Sequence, residues 1–420
     1  MTDDLREKRP FGFEEDIGVP VAGDAPAVEA APVAEPTSPG EWIRQNLFSS
    51  WFNAILTVVS GAFVVFALSR LITFTFVSAE WTVVQRFMRA YMVGPIPLEQ
   101  LWRVWVCAYA VAILAGLSLG SSRWRPHLTA RKAGVAAISA AVAALIVLYT
   151  ARTVLVLALT AGLVIAVAGG VFVGRSLGTR LRKPLLVAWL LLFPAMMVII
   201  RGFDGIPPRL WGGLFFNLIA ATVGIAVSFP IGILLALGRK SDLPAVRLVC
   251  VVFIEIFRGV PLIGWLIFSR FIVILVLPPQ WEIPIIVRAF IAMTLFSSAY
   301  VAEIVRGGLQ GVHFGQLEAG RALGLSPLRL TLLVVLPQAL RSTIPAMIGH
   351  FISLFKDTSL FSAIQVTELL AAARRSSTAL EFFGRDTETL LFAALFFWAI
   401  AFSMSRWSQR LELRLGVGER

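Results

Sequence analysis

The 420-residue chain is poor in charge, in cysteine and in histidine. Charged side chains make up 15% of its residues, whereas a soluble globular domain carries about 25%, so the composition argues against a soluble protein. The two cysteines and three histidines stand far apart, at Cys107, Cys250, His127, His313 and His350. Their spacing fits neither a disulfide framework nor a metal or redox motif. We therefore predict no metal, no cofactor and no catalytic histidine.

The chain also lacks the motifs of an enzyme that uses ATP or a metal ion. No glycine is followed directly by lysine, so there is no Walker A loop to cradle nucleotide phosphates. There is no H-E-x-x-H motif, and no nucleophile or acid–base constellation that would mark a membrane enzyme. We predict that the chain is not an enzyme, and that any energy from ATP is supplied by a partner.

Acidic residues are fewer than basic ones, 25 against 37, which gives a formal net charge of +12. Such a balance is one sign of nucleic-acid binding. Here, however, the basic residues form short clusters between apolar runs, which is typical of cytoplasmic loops in a membrane protein. We predict contact with membrane lipid and not with nucleic acid.

Long apolar runs fill most of the chain, which is 58% hydrophobic and has a mean hydropathy of +0.82. A helix needs about 20 residues to cross a bilayer, and ten stretches qualify as candidates. They cover residues 51–69, 104–122, 133–151, 153–174, 184–200, 210–238, 248–276, 285–305, 342–364 and 389–405. The two stretches that flank Arg152 are also consistent with a re-entrant hairpin, which would leave eight crossings. We predict an all-α, polytopic membrane protein with about ten transmembrane helices.

The basic clusters predict the orientation of these helices. Lysine and arginine gather at residues 123–132, 175–183 and 239–247. With the N-terminus in the cytoplasm these clusters fall on the inner side, as the positive-inside rule requires, and both termini are then cytoplasmic. Residues 1–40 are rich in proline, alanine and glutamate and contain no apolar signal-peptide core, so we expect a disordered cytoplasmic tail. The predicted protein thus crosses the membrane several times and has both ends in the cytoplasm.

The unusual residues are unevenly distributed, which suggests two membrane parts. Residues 41–205 form a predicted extension of about five helices with few polar features. Residues 206–412 form a second set of five helices that carries almost every motif and intramembrane charge, followed by a short cytoplasmic tail at 413–420. We expect the second part to be the functional core.

One long inner loop, residues 306–341, contains its own signals for where helices start and stop. Helix formers run from Gln316 to Leu323, and Gly324 suits a left-handed helix stop. Ser326 then suits an N-cap and Pro327 the first turn of a second helix. These signals predict helix, sharp turn, helix; on their own they also fit an ordinary connection between two membrane helices.

The loop resembles the EAA loop of ATP-binding-cassette (ABC) importer permeases. The matching places are Glu318, Ala319, Gly320, Gly324, Val334, Leu336 and Pro337. Gly320 stands where that family has alanine, and we expect little effect because both residues are small. In that family the loop forms the coupling helix, which docks into a groove of the ATPase subunit. The resemblance implies this contact for Glu318, Ala319, Gly320, Gly324, Leu325 and Pro337.

Further segments resemble the polar amino-acid (histidine/glutamate/glutamine) branch of these permeases, and most of all its general L-amino-acid subgroup. They are residues 41–50, 211–217, 235–244, 254–263, 294–310 and 351–360. Val260 and Gly264 depart from the usual threonine and glutamine. The resemblance implies a type I importer core in the C-terminal half, a location in the bacterial inner membrane, and polar L-amino-acid substrates with broad specificity. The partners it implies are cytoplasmic ATPase subunits that bind ATP, a second permease (a homologue or a second copy) and a periplasmic solute-binding protein.

Several charges lie inside the predicted membrane helices, where each costs about 2.5–3.5 kcal/mol. They are Glu255, Arg258, Arg288, Glu303, Lys356 and Asp357. Glu255 and Arg258 are one helical turn apart and are predicted to pair. Lys356 and Asp357 point in different directions and are expected to meet other helices, with Glu303 or Arg258 as candidate partners.

Charges of both signs at membrane depth also suit a zwitterionic substrate, although structural gating pairs would look the same. The candidate pathway residues are Glu255, Arg258, Ser297, Ser298, Glu303, Lys356, Asp357, Thr358 and Ser359. The main alternative function is an ion-coupled secondary transporter. That class is typically built from inverted repeats, and the two halves of this chain show no internal similarity.

Overall fold

The computed structural model describes residues 38–121, 154–276, 278, 280 and 283–415. Within these residues the chain is helical, apart from turns and one isolated bridge between Gly213 and Glu368. The predicted span 133–151 lies outside the described residues, as do 1–37 of the predicted tail.

Eight helices among the described residues are long and apolar enough to cross a membrane. They are Trp51–Ser78, Leu98–Ser121, Val154–Leu181, Lys183–Arg201, Gly213–Arg239, Ile285–Gln310, Pro327–Ile364 and Asp386–Glu412. Each coincides with one of the predicted spans. The prediction of an all-α, polytopic membrane protein is confirmed.

The chain divides into two compact units between Ala79 and Glu80. The first unit contains helix α1, Pro39–Leu47, and helix α2, Trp51–Thr73, which continues as a π-helix over Phe74–Ser78. Ser38 and Ser50 cap the two helices with their hydroxyl groups.

The second unit begins with α3, Thr82–Val93, an amphipathic helix where only a loop was predicted. Helices α4, Leu101–Ser121, and α5, Val154–Leu177, follow, and then α6, Arg182–Arg201. Buried side chains of this region, such as Cys107 and Ile200, belong to the same hydrophobic cluster as Phe216 of the next helix. The described parts of residues 80–205 therefore share a core with the second half of the chain.

Helices α4 and α5 cross through glycines. Gly116 and Gly120 face Gly170 and Gly174, and a Cβ added at Gly116 would lie 2.4 Å from the carbonyl oxygen of Val167. This is the small-xxx-small arrangement by which membrane helices bring their backbones together. No larger residue fits at this crossing without separating the helices.

The remaining long helices are α7, Gly213–Arg239, which is followed by α8, Pro244–Gly259. The prediction of one helix over 248–276 is wrong. The chain breaks at Val260 and Pro261, because proline has no N–H and forces the preceding residue into an extended conformation. The segment resumes as three short pieces: α9, Leu262–Ile267; a π-helix, Phe268–Ile272; and α10, Val273–Val276.

Helix α11, Ile285–Gln310, is the most buried of the spans and packs against both α7 and α14. It leads into two short helices, α12, Phe314–Ala322, and α13, Pro327–Leu330, and then through a π-helix, Thr331–Val335, into α14, Leu336–Asp357. A 3-10 helix over Thr358–Ile364 precedes α15, Leu369–Ser377, and the chain closes with α16, Asp386–Leu415.

Candidate functional site

The two short helices α12 and α13 form an exposed knob, residues 314–330, at the end of α11. Gly324 has φ +74°. The Leu325 N–H donates to the Gly320 carbonyl at 3.1 Å and the Gly324 N–H to the Arg321 carbonyl at 2.9 Å, which is the full Schellman pattern. The Ser326 hydroxyl accepts a hydrogen bond from the backbone N–H of Arg329, with Pro327 in the first turn. The predicted turn is confirmed, and the first helix begins two residues earlier than predicted.

Glycine at position 320 has a specific packing role that its small size alone did not suggest. Glu318 and Ala319 are exposed on the outer face of α12, but Gly320 is buried. A Cβ there would lie 2.3 Å from the Cδ1 atom of Leu330. Gly320 therefore lets α12 lie directly on α13, and alanine would require the leucine to move.

The inner side of the knob joins the membrane helices. Leu325 is half-buried and packs on a cluster that includes Ala236 of α7 and Val305 of α11. Pro337 is exposed in the first turn of α14, directly after the π-helix. The knob thus follows α11 along the chain and leads through the π-helix into α14.

A charge cluster lies at the same end of the bundle as the knob, with Glu303 at its centre. Glu303 of α11 contacts Arg239 at the end of α7 at 2.5 Å, Arg306 at 2.7 Å and Arg258 of α8 at 3.6 Å. Its side chain is only 14% exposed. One carboxylate therefore holds three helices together at this end.

The predicted pair between Glu255 and Arg258 is wrong. Glu255 contacts Arg239 at 3.4 Å, while Arg258 contacts Glu303 and lies over the ring of Tyr300, 5.6 Å from its centroid. Contacts between helices explain the difference, because Arg239 of α7 pairs with Glu255 in place of Arg258, the residue one turn along the same helix.

A polar seam crosses the middle of α7, α11 and α14. The Ser297 hydroxyl donates to Ser228 at 2.9 Å and shares a 2.9 Å hydrogen bond with the His350 Nε2 atom. His350 in turn stacks on Tyr300, with ring centroids 5.6 Å apart. His350, set aside in the sequence because it has no neighbouring ligands, is thus the contact of a predicted pathway residue. Its position in an otherwise apolar run was the signal that could have found it.

The other predicted polar residues of α11 and α14 have different surroundings. Ser298 is fully buried and donates to the Thr294 carbonyl of its own helix at 2.7 Å. Lys356 is exposed and Asp357 half-buried at the far end of α14. Glu303 and Arg258, their candidate partners, are engaged in the charge cluster at the opposite end. The Ser359 carbonyl accepts a hydrogen bond from Ser362.

Thr358 belongs to a buried network at this far end. It accepts a hydrogen bond from the Asn217 amide at 2.9 Å, and that amide also donates to Glu368 at 3.1 Å. Glu368 accepts from the backbone N–H groups of Leu370 and Ala371 at 2.8 and 2.7 Å, and so caps α15. Asn217, Thr358 and Glu368 are all 0% exposed. Burial raises the pKa of Glu368 to about 7.

Arg288, another charge predicted to lie inside the membrane, is hydrogen-bonded to backbone carbonyl groups. Its guanidinium donates to the backbone carbonyls of Ile283, Ser269 and Arg270, at 3.0, 2.8 and 3.1 Å. These bonds fasten the start of α11 to the broken segment before it.

Fold and knob together describe a multi-pass helical membrane protein with an exposed pair of short helices at one end. The family described as "Binding-protein-dependent transport system inner membrane component" matches residues 228–417. The inner membrane amino-acid ABC transporter permease protein YhdY of Escherichia coli K12 is 35% identical over 396 residues, which cover 90% of this chain and 93% of that relative. The chain belongs to the family of inner membrane amino-acid ABC transporter permeases.

Other relatives match the second half. The glutamate/glutamine/aspartate/asparagine transport system permease protein BztC of Rhodobacter capsulatus is 42% identical over 208 residues, 49% of this chain and 48% of that one. The probable glutamine ABC transporter permease protein GlnP of Bacillus subtilis is 35% identical over 210 residues, 49% of this chain and 93% of that one. A solved amino acid ABC transporter, crystallised with histidines, covers 55% of this chain and 96% of its own, with 26% identity and a TM-score of 0.44.

The chain is therefore a permease subunit of an ABC importer and a multi-pass protein of the inner membrane. The relatives named above are amino-acid permeases, and the comparisons give no support to an ion-coupled secondary transporter.

Proposed function

We propose that this subunit translocates polar L-amino acids of several kinds, in a complex with ATPase subunits, a second permease and a solute-binding protein. The names of YhdY, BztC and GlnP support an amino-acid substrate, and the four amino acids in one of those names support broad specificity. The complete absence of a Gly-Lys dipeptide supports ATP hydrolysis on the partner and not on this chain.

The single observation that carries this proposal is the knob. Glu318 and Ala319 are exposed on a helix whose stop is fixed by the Schellman turn at Gly324. Phe314, Leu323 and Leu328 add apolar surface, with 50%, 81% and 69% of each residue exposed. A rigid, mixed polar and apolar projection suits insertion into a groove of a soluble partner. With the knob in the cytoplasm, the basic clusters also lie inside and both termini are cytoplasmic.

Coupling then follows the chain in both directions from the knob. When the ATPase subunits close on ATP, they move α12 and α13, and α11 and α14 are pulled with them. The charge cluster has to rearrange when α7, α8 and α11 move relative to one another, because Glu303 contacts all three. The ATPase selects between inward- and outward-open states through its different affinity for the two.

The substrate pathway is proposed to run beside the polar seam and the charge cluster. A zwitterion needs a cation for its carboxylate and an acceptor for its ammonium group. Arg258 has 36% of its side chain exposed and sits 3.6 Å from Glu303, so the two signs are presented together. A chain of contacts connects Ser297 to this pair. Ser297 is hydrogen-bonded to His350, His350 stacks on Tyr300, and Arg258 lies over the Tyr300 ring. Lys356, Asp357 and Ser359, at the far end of α14, are proposed to contact the substrate as it enters.

The test is retention of the ATPase by solubilised complexes. Glu318→Lys and Gly324→Asp are expected to insert normally but to lose the ATPase, with loss of substrate-stimulated ATP hydrolysis in liposomes. The far end offers matched controls. Glu381→Lys reverses an equally exposed charge, and Gly384→Asp imposes the same strain on a glycine with φ +84° and open space around it.

Both controls should retain the ATPase. If all four variants retain it with unaltered stimulation, the knob is an ordinary connection and the proposal fails. If all four lose it, the loss reports general damage, and the coupling role assigned to the knob is equally refuted.

A further inference from the structure

Helix α1 precedes the first membrane span and is held by hydrogen bonds at both of its ends. At its start, the Ser38 N–H donates to the Glu41 carboxylate at 3.1 Å and the Glu41 N–H donates to the Ser38 hydroxyl at 3.3 Å. This reciprocal capping box fixes where the helix begins. At its end, the Thr57 hydroxyl of α2 donates to the Leu47 carbonyl at 2.8 Å. The helix is thus tied at one end to the span that follows.

The two sides of α1 differ in chemistry. At 100° per residue, Trp42, Ile43 and Leu47 fall within one arc of about 140°. Asn46 lies in the same arc, and its side-chain amide donates to the Trp42 carbonyl at 2.9 Å. Glu41, Arg44 and Gln45 occupy the opposite side. The three apolar residues are 51%, 44% and 37% exposed.

The connection to α2 continues the same apolar surface. Only residues 48–50 separate the two helices. Phe48, Trp51 and Phe52 are 46%, 77% and 61% exposed, so together with Trp42 four large aromatic side chains gather where the span begins. Tryptophan at this level is typical of the membrane–water interface, where its amphipathic ring is best solvated.

We propose that α1 lies in the bilayer interface, with the arc of Trp42, Ile43 and Leu47 turned toward the acyl chains. The observation that selects lipid as the occupant is the connection. Leu47 and Trp51 are no more than about 14 Å apart even if the chain is extended, and Trp51 begins a span with no buried residue among its most apolar stretch. Helix α1 is therefore held at headgroup level.

The charges of α1 indicate what kind of lipid contact this is. Glu41 and Arg44 cancel, so the helix has no net attraction to anionic headgroups. Its attachment comes from apolar burial, which operates equally on zwitterionic bilayers. The role of α1 is to fix the depth and rotation of α2 in the membrane.

The experiment is spin-label accessibility in the full-length chain in nanodiscs. Single cysteines replace Glu41, Trp42, Ile43, Arg44, Gln45 and Leu47 in turn. Cys107 and Cys250 are buried, and the parent chain treated with the same label supplies their background. Accessibility to oxygen, which concentrates in the bilayer, is compared with accessibility to a water-soluble nickel chelate.

We expect the ratio of oxygen to nickel accessibility to be several-fold higher at positions 42, 43 and 47 than at 41, 44 and 45. The pattern should be the same in phosphatidylcholine nanodiscs with and without phosphatidylglycerol. In addition, Ile43→Asp should raise nickel accessibility at position 47, whereas Gln45→Asp, on the polar side, should leave it unchanged.

Three results would overturn the proposal. Nickel access at all six positions would place the helix in water. Exclusion of both reagents at positions 42, 43 and 47 would mean that protein covers the arc. A pattern that appears only with the anionic lipid would mean that headgroup charge, and not apolar burial, holds the helix. No outcome depends on transport, so the result stands apart from that of the coupling test.

Discussion

The two ends of the helical bundle bury a glutamate in opposite ways. Glu303, at the knob end, is surrounded by Arg239, Arg258 and Arg306 from three helices. Glu368, at the far end, has no ion pair in the described structure and is held by two backbone N–H groups and the Asn217 amide. A long arginine can follow a moving carboxylate, but a backbone N–H cannot. From this comparison we expect movement at the knob end and anchoring at the far end.

The largest effect is expected from removing the anchor. Glu368→Ala removes the acceptor for two backbone N–H groups of α15 and for one N–H of the Asn217 side-chain amide. The loss of such a buried helix cap should lower the free energy of unfolding by about 3 kcal/mol. The measurement is thermal unfolding of the purified chain in detergent. Glu381→Ala, an exposed site on the same side, is the control. An unchanged melting temperature for Glu368→Ala would show that Glu368 does not anchor the far end of the bundle.

The pH dependence of stability tests the same site differently. Because burial raises the folded-state pKa of Glu368 to about 7, above the unfolded value of about 4.3, the folded state holds the proton more tightly. This group's contribution to stability should therefore fall as pH rises from about 4.5 to 7 and then stay level. Glu368→Gln should lack this decline when the melting temperatures of the two proteins are compared from pH 5 to 8. Parallel curves would contradict the raised pKa.

A smaller loss of stability, with a larger loss of function, is expected at the knob end. Glu303→Gln removes the centre of the charge cluster and, among the described residues, leaves three arginines with only the exposed Glu255 as an acidic neighbour, at a cost of about 2 kcal/mol. Uptake into liposomes should fall while the ATPase continues to hydrolyse ATP without substrate. Glu303→Asp, which keeps the charge, should recover part of the uptake. Full coupling in Glu303→Gln would show that the cluster has no part in movement.

The smallest effect should come from Glu255→Gln. This carboxylate is 57% exposed and meets only Arg239, at 3.4 Å. An exposed pair of this kind is worth less than about 1 kcal/mol. Uptake and melting temperature should both remain close to those of the unaltered chain. A loss as large as that of Glu303→Gln would mean that the second carboxylate is needed too, and the cluster would then not have a single centre.

The parts that sequence predicted well are those whose signals are local. An example is the short stretch that contains the turn at Gly324, the cap at Ser326 and the first-turn Pro327. Because these residues are close together in sequence, their conformations follow from local preferences alone. The break before Pro261 was equally local, and the rule for residues preceding proline would have found it.

The parts that were missed depend on residues far apart in sequence. Arg239 reaches Glu303 across 64 positions and Asn217 reaches Glu368 across 151. No spacing rule connects them, and the turn-spaced pair of Glu255 and Arg258 was a natural but wrong substitute. Helix α3 was missed for another reason. It lies between two of the predicted spans and, at 12 residues, is too short to be one, although Val83, Val84 and Tyr91 mark a buried side with helical spacing.

The break at Val260 and Pro261 has a consequence for solvent. A helix that stops inside hydrocarbon exposes its last carbonyl groups, and irregular backbone at membrane depth persists only where protein covers it or water reaches it. The indole of Trp265 donates to one such carbonyl, that of Phe257, at 3.3 Å. Arg258, next to it, keeps a third of its side chain uncovered. We therefore expect water to reach the backbone at this break, so that an amino acid on the proposed pathway would keep part of its hydration beside Arg258.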